Sequence, residues 1–189
     1  ILKRIFSNHP DVTDVPEWRF LIDPDGIVDF YQNAQYWSPY HYDIKLKRLE
    51  KLLRTVCKQN LYYTYYNNLL KKLKMDRKFP FKVTTRYAGM NTDKFCPGFK
   101  ELVSELISNL DQFSFNGSWV GLPFGQYEMK YNYFAEKAEL AKRLTKFLDS
   151  VIDSVKRSQG CKYYLEKNTW NILWFDAIRD LLPSAKLVH

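Results

Sequence analysis

Glu17 and Arg19 stand two positions apart in Val15-Pro16-Glu17-Trp18-Arg19-Phe20, and Lys167 precedes Asn168-Thr169 near the other end of the chain. A carboxylate can take a proton from an alcohol or amine, a poor nucleophile until that proton leaves. An ammonium at a helix start can meet an anion, or the charge that grows on a leaving oxygen. A base and a cation that share one reacting centre suit group transfer from an anionic donor. Each residue also has a plain reading. Glu17 reads as a loop acid, Arg19 as its surface partner worth at most ~1 kcal/mol, and Lys167 as a solvated cation. A cation at a helix start mildly opposes the helix dipole, which tilts Lys167 toward a functional role.

The remaining candidates are weaker. Cys57, Cys96 and Cys161 form no CxxC pair, and no metal-ligand set arises with His9, His41 or His189. No metal is therefore expected. Three thiols allow at most one internal disulfide and leave the compartment undecided. His41, between Tyr40 and Tyr42, reads as structural. Gly117, Gly121 and Gly125 are too loosely spaced, and lack a Lys-Ser/Thr partner, for a phosphate loop.

The elements that must position these residues are mostly helical. Residues 1–7 read as the tail of an amphipathic helix stopped by Pro10. Asp23-Pro24 signals the start of a short helix over about 25–33. From His41 to Lys74, Ile44, Leu49, Leu52, Leu53 and Val56 recur at core spacing, and Leu61, Tyr65, Leu69 and Leu73 continue them after a break near Gln59-Asn60. Residues 75–98 read as loop, with a short strand within 79–85. A helix covers about 99–110, a Gly/Pro-rich loop 116–126, and the longest helix about 131–158, ended by Gly160. Residues 161–165 then read as a strand, Asn168-Thr169 as the cap of a helix carrying Trp170, Leu173, Ile178, Leu181 and Leu182, and 185–189 as another strand. A strand–helix–strand unit is the building block of a parallel sheet. The expected fold is α/β: an incomplete phosphate-loop-type parallel sheet with a large helical insertion over 41–158.

Composition agrees with one globular domain over 1–189. The 189 residues are 46% hydrophobic, 26% charged and 17% aromatic, with a formal charge of +8. That surplus favours anionic partners. No nucleic-acid-binding pattern accompanies it, so nucleic acid is not expected. No apolar run is long enough to span a membrane. The chain starts at Ile1 rather than Met, which leaves an upstream signal or membrane anchor open.

Several segments carry a resemblance. Residues 2–12 resemble the helix and exit that follow the phosphosulfate loop of sulfotransferases. Pro16-Glu17-Trp18-Arg19-Phe20 resembles the segment with the catalytic glutamate in the tyrosylprotein and glycan branches. Tyr164-Leu165-Glu166-Lys167-Asn168-Thr169-Trp170 resembles the family's Glu-Lys-Thr-Pro loop, and 176–189 resembles the approach to its 3′-phosphate strand. Residues 1–31 and 161–189 match best; 40–160 match only in being helical. The resemblance implies an internal fragment, without the phosphosulfate loop or the Arg-Asp-Pro element, and inactive alone. It implies sulfuryl transfer from 3′-phosphoadenosine-5′-phosphosulfate (PAPS) to a hydroxyl or amine on a glycan, tyrosyl peptide, lipid or small molecule. Glu17 would be the general base, Lys167 would meet the donor, and Arg19 would orient Glu17 or hold the acceptor. Glu17 and Lys167 should then lie about 4–10 Å apart in an empty site. Two other classes stay open: a non-catalytic helical interaction module with a basic surface, and another phosphate-loop transferase such as a nucleotide kinase.

Overall fold

The computed structural model describes residues 5–6, 8–34, 39–59, 61–73, 87, 89–117, 127–132 and 136–186. Residues 5–6 are helical; the rest of the expected helix at 1–4 and 7, and the strand within 79–85, lie outside them. A single turn, α1 (Arg19–Ile22), leads into α2 (Ile27–Asn33). Asp23 closes α1 instead of capping α2, and Gly26 is the N-cap. The cause is local. Asp25 takes a left-handed φ of 66°, and the Gly26 N–H bonds Asp23 O at 2.8 Å. A Cβ on Gly26 would stand 2.7 Å from that oxygen, so the turn demands glycine.

Three long helices make the body: α3 (Pro39–Cys57), α5 (Phe99–Leu110) and α6 (Lys137–Gln159), with α4 (Leu61–Lys72) between the first two in sequence. On α3 the buried stripe is Leu46, Leu49, Leu53 and Val56, at three- and four-residue steps. It meets Phe99, Val103, Leu106 and Leu110 of α5 and Leu144, Leu148, Val151 and Val155 of α6 in one core. Gly160 ends α6 as the sequence implies. Its φ is 66°, its N–H bonds Arg157 O, and the Cys161 N–H bonds Lys156 O, the paired bonds of a Schellman cap. The helix expected after the break near Gln59-Asn60 is present as α4, but its stripe does not join the core. Leu61, Tyr65, Leu69 and Leu73 have core spacing but are exposed, and among the described side chains of this helix Leu70 is the buried one.

The helix expected over 131–158 begins six residues late. Phe113–Gly117 (β1) and Tyr127–Tyr131 (β2) pair antiparallel, Phe113 opposite Tyr131 and Phe115 opposite Met129. The sequence reading put residue 131 in a helix because the 3.6-residue stripe runs back into it. A side chain outside the hairpin helps decide otherwise. Asp43, fully buried on α3, accepts the Lys130 N–H at 2.8 Å and pairs with Lys47 at 2.9 Å. Lys47 also donates to Glu128 O at 2.8 Å. One carboxylate and one ammonium thus seat β2 on α3.

The fold is α/β and mostly helical, and among the described residues its sheet is this antiparallel hairpin. The parallel sheet expected from 161–165 and 185–189 is reduced to one isolated parallel bridge, Val12 to Tyr163. Ala185 and Lys186 carry no strand, and 187–189 lie outside the described residues. Asn168 does act as a cap, accepting the Trp170 N–H at 3.0 Å, but the turn it starts is a 3-10 helix, Thr169–Trp174. Then α7 (Phe175–Leu181) follows, with Ala177 and Leu181 buried; Trp170 and Leu173, expected on a core stripe, are exposed.

Two outcomes follow from these contacts. Asp43→Ala leaves a buried N–H and an ammonium without their acceptor and should cost about 2–4 kcal/mol in urea denaturation; Asp43→Asn, which keeps an acceptor, should cost less. The Tyr31 hydroxyl donates to Asp180 Oδ2 at 3.0 Å and ties α2 to α7. Burial, helped by Asp180, pushes its pKa from 10.0 up to about 12. A raised pKa means that the neutral form stabilises the fold: the contribution is complete below pH 10.0 and is lost as pH rises through about 12. The stability gap between wild type and Tyr31→Phe should narrow across that window.

Candidate functional site

Two segments from opposite ends of the chain lie side by side. The Lys162 and Tyr163 N–H groups both reach Asp11 O, at 2.9 and 2.8 Å, and the Thr13 N–H returns to Tyr163 O at 2.9 Å. The Leu165 N–H then bonds the Thr13 hydroxyl at 3.1 Å. Gln159 clasps Asp14 from both sides, accepting its N–H at 2.9 Å and donating to its carbonyl at 3.2 Å. At the far end the Trp18 N–H bonds Glu166 Oε1 at 3.1 Å, and Trp18 packs against Tyr164 with the rings tilted by 36° and their centroids 4.7 Å apart.

Extended chain alternates its side chains between two faces. Thr13 and Val15 are buried, while Asp14 and Pro16 are exposed; the alternation then breaks at a turn, in which the Arg19 N–H bonds Glu17 O at 3.1 Å, and Trp18 is buried. Glu166 turns inward. Its second oxygen accepts the Tyr164 hydroxyl at 2.9 Å, and burial together with this carboxylate drives the Tyr164 pKa well upward. Its neighbour Lys167 turns outward and meets Glu17: Nζ lies 3.0 Å from Oε1. The side chains are 47% and 37% exposed, so the pair sits at the surface. The separation is shorter than the 4–10 Å expected, because opposite charges with nothing between them close to contact. Among the described residues Glu17 is the recorded partner of this ammonium, which carries three donors.

Arg19 goes elsewhere. Its Nε binds Asp23 at 3.1 and 3.2 Å, one helical turn on, and that carboxylate holds the guanidinium further above its ordinary range. Asp23 is buried and also accepts the Tyr87 hydroxyl at 2.6 Å. Arg19 therefore braces the turn after the Glu17 segment rather than orienting the Glu17 carboxylate. Glu166 is the residue that sequence reasoning passed over. The signal available was its place beside Lys167, directly after the strand-like run of 161–165.

His41 lies in the first turn of α3. All three cysteines are free; Cys57 and Cys96 are buried, and burial pushes both thiols up, which makes them poor nucleophiles near neutral pH. No group of three metal-ligating side chains is assembled among the described residues. The whole is a mostly helical α/β protein with a carboxylate–ammonium pair where its two end segments meet. No family model, curated protein or solved structure matches the chain.

Glu166→Ala should destabilise the chain by about 1–3 kcal/mol, since it strips an acceptor from the Trp18 N–H and the Tyr164 hydroxyl. Hydrogen exchange should show the Trp18 amide losing protection. Lys167→Ala, which breaks only the exposed pair, should cost at most ~1 kcal/mol.

Proposed function

We propose that this chain belongs to a PAPS-dependent sulfotransferase and carries its general base and one of its donor-binding cations. The observation that carries the reading is the 3.0 Å contact between Glu17 and Lys167, residues 150 positions apart. A base and a cation serve one reacting centre only if both reach it. Further support is the Val12–Tyr163 bridge, which runs parallel, as neighbouring strands of a phosphate-loop-type sheet would. In this reading that sheet is the unit into which the helices of 41–158 are inserted.

The residues fit the anionic donor in the chemistry of the set. Lys167 is half exposed and uses its ammonium toward one carboxylate oxygen, so it has N–H groups to offer an incoming anion. PAPS, when bound, supplies an activated sulfuryl group. Glu17 takes the proton of the acceptor hydroxyl or amine at its carboxylate. Lys167 leaves Glu17 and balances negative charge on the donor oxygens, which frees Glu17 to act as base. Glu166 holds the backbone of Trp18 and so fixes the strand from which Glu17 projects. Arg19, held by Asp23, is a positioning residue for the same segment. The interaction-module reading draws on a separate surface, the outward stripe of α4, and does not compete for these side chains.

Transfer of radiolabelled sulfate from PAPS to hydroxyl-bearing glycans, tyrosyl peptides and lipids, by the natural polypeptide that contains this sequence, is the test. Glu17→Gln should lower turnover by about 10²–10⁴-fold with little change in calorimetric affinity for adenosine 3′,5′-bisphosphate. Lys167→Ala should slow turnover and weaken donor binding together. Full turnover in Glu17→Gln would overturn the assignment of the base, and absence of nucleotide binding would overturn the reading as a whole.

A further inference from the structure

Helix α4 spaces its apolar residues like a core helix and then leaves them in solvent. Leu61 is 73% exposed, Tyr65 72%, Leu69 41% and Leu73 56%; Tyr62 beside them is 73% exposed. At 100° per residue these five positions fall within an arc of about 120°, and from Leu61 to Leu73 the stripe runs about 18 Å. Leu70, outside this arc, is buried. The apolar arc thus faces solvent. Single exposed leucines are ordinary, but a contiguous stripe of this length is not.

The charge around the stripe has one sign. From Lys51 to Met75 the sequence holds six cations, Lys51, Arg54, Lys58, Lys71, Lys72 and Lys74, and no Asp or Glu. Lys58 before the helix and Lys71 and Lys72 at its end are exposed. The cations thus flank the stripe, while its middle is leucine and tyrosine. A nucleic acid would ask for cations along the middle as well. An acidic protein groove would leave the tyrosine rings to satisfy their hydroxyls in the dry. A bilayer interface offers both media at the right depths: acyl chains under the arc, headgroup phosphates at its ends, and a wet boundary for tyrosine hydroxyls. No described helix is long and apolar enough to cross a membrane, so the contact is with the surface.

We propose that α4 is an interfacial docking helix that seats this protein on an anionic lipid bilayer, independently of the Glu17–Lys167 site. Co-sedimentation of the chain with phosphatidylcholine vesicles, with and without phosphatidylserine, tests it. Partitioning should be about tenfold or more stronger onto the anionic vesicles and should weaken as salt rises. Lys71→Glu/Lys72→Glu and, separately, Tyr65→Ser/Leu69→Ser should each lower it by about tenfold or more. These side chains are exposed, so circular dichroism and the thermal midpoint should stay as in wild type and serve as the check on folding. The proposal is overturned if wild type ignores anionic vesicles, binds neutral ones equally, or keeps its affinity in the correctly folded Tyr65/Leu69 variant. Tighter binding to polyglutamate or RNA than to anionic vesicles overturns it as well, in favour of a soluble polyanion.

Discussion

The contact between residues 11–18 and 159–166 is the constraint on which the surface pair depends. Closing a loop of about 150 residues costs only ~2 kcal/mol more than closing one a tenth as long, because the entropy grows with the logarithm of length. Against that stand the bonds from Lys162, Tyr163, Thr13, Leu165, Trp18 and Gln159 described above, each worth about 1 kcal/mol net. They form only when α6 has delivered Gln159 and Gly160 to the right place. The Schellman cap at Gly160 turns the chain sharply off α6 and lays Cys161–Leu165 along the first segment. A side chain at Gly160 would meet no neighbour, so it is the left-handed φ alone that asks for glycine there.

The helical body delivers that geometry by settling its helix ends across elements. The last carbonyls of a helix lack intrahelical partners. Leu110 O, at the end of α5, accepts the Tyr42 hydroxyl of α3 at 2.7 Å. Val56 O, near the end of α3, accepts the Thr92 hydroxyl at 2.9 Å. Leu181 O, at the end of α7, accepts the Thr145 hydroxyl of α6 at 2.7 Å. Each bond satisfies an orphan acceptor and at the same time fixes one helix against another. The aromatic contacts run through the same joints: Phe30 edges onto Tyr42, and Phe20 packs on Phe99 at 5.5 Å between centroids.

The core stripes of the long helices and the Gly160 cap were legible in the sequence because they depend on neighbours within a turn or two, whereas the cap expected at Asp23 fell to Gly26. The stripe of α5, the Leu144–Leu148–Val151–Val155 series and the Gly160 cap all follow from local spacing. The hairpin was not legible, because Asp43, some 87 positions from Lys130, reads as a surface acid until the strand it holds is known. The outward face of α4 was not legible for a related reason: periodicity reports that a helix has an apolar face, not what that face meets. At the candidate site, Glu17 and Lys167 were expected near one another on chemical grounds, and their opposite charges meet at 3.0 Å. Arg19 pairs with Asp23 and not with Glu17, because Asp23, at the i+4 position, is the carboxylate within its reach.

The site separates two tasks between adjacent residues. Glu166 faces inward, holds a backbone N–H and a tyrosine hydroxyl, and gives the segment its fixed course. Lys167, one residue on, faces outward and is tied by a single exposed contact worth at most ~1 kcal/mol. A deeply buried pair in the same place would be costly to break, since removing one partner leaves a stranded charge. A solvent-exposed pair opens at little cost and lets water or a ligand replace either partner. Rigid backbone with an easily opened pair is what pre-organisation requires when two charged groups must rest together and then act on different atoms of an incoming molecule. On the opposing segment the alternation seen over Thr13 to Pro16 breaks at a turn in which the Arg19 N–H bonds Glu17 O at 3.1 Å, which leaves Glu17 outward beside a buried Trp18 whose ring packs on Phe20 and Tyr164. The geometry at the pair is thus a consequence of two inward-held neighbours, the buried Trp18 and the half-buried Glu166, joined by a hydrogen bond at one level of the joint.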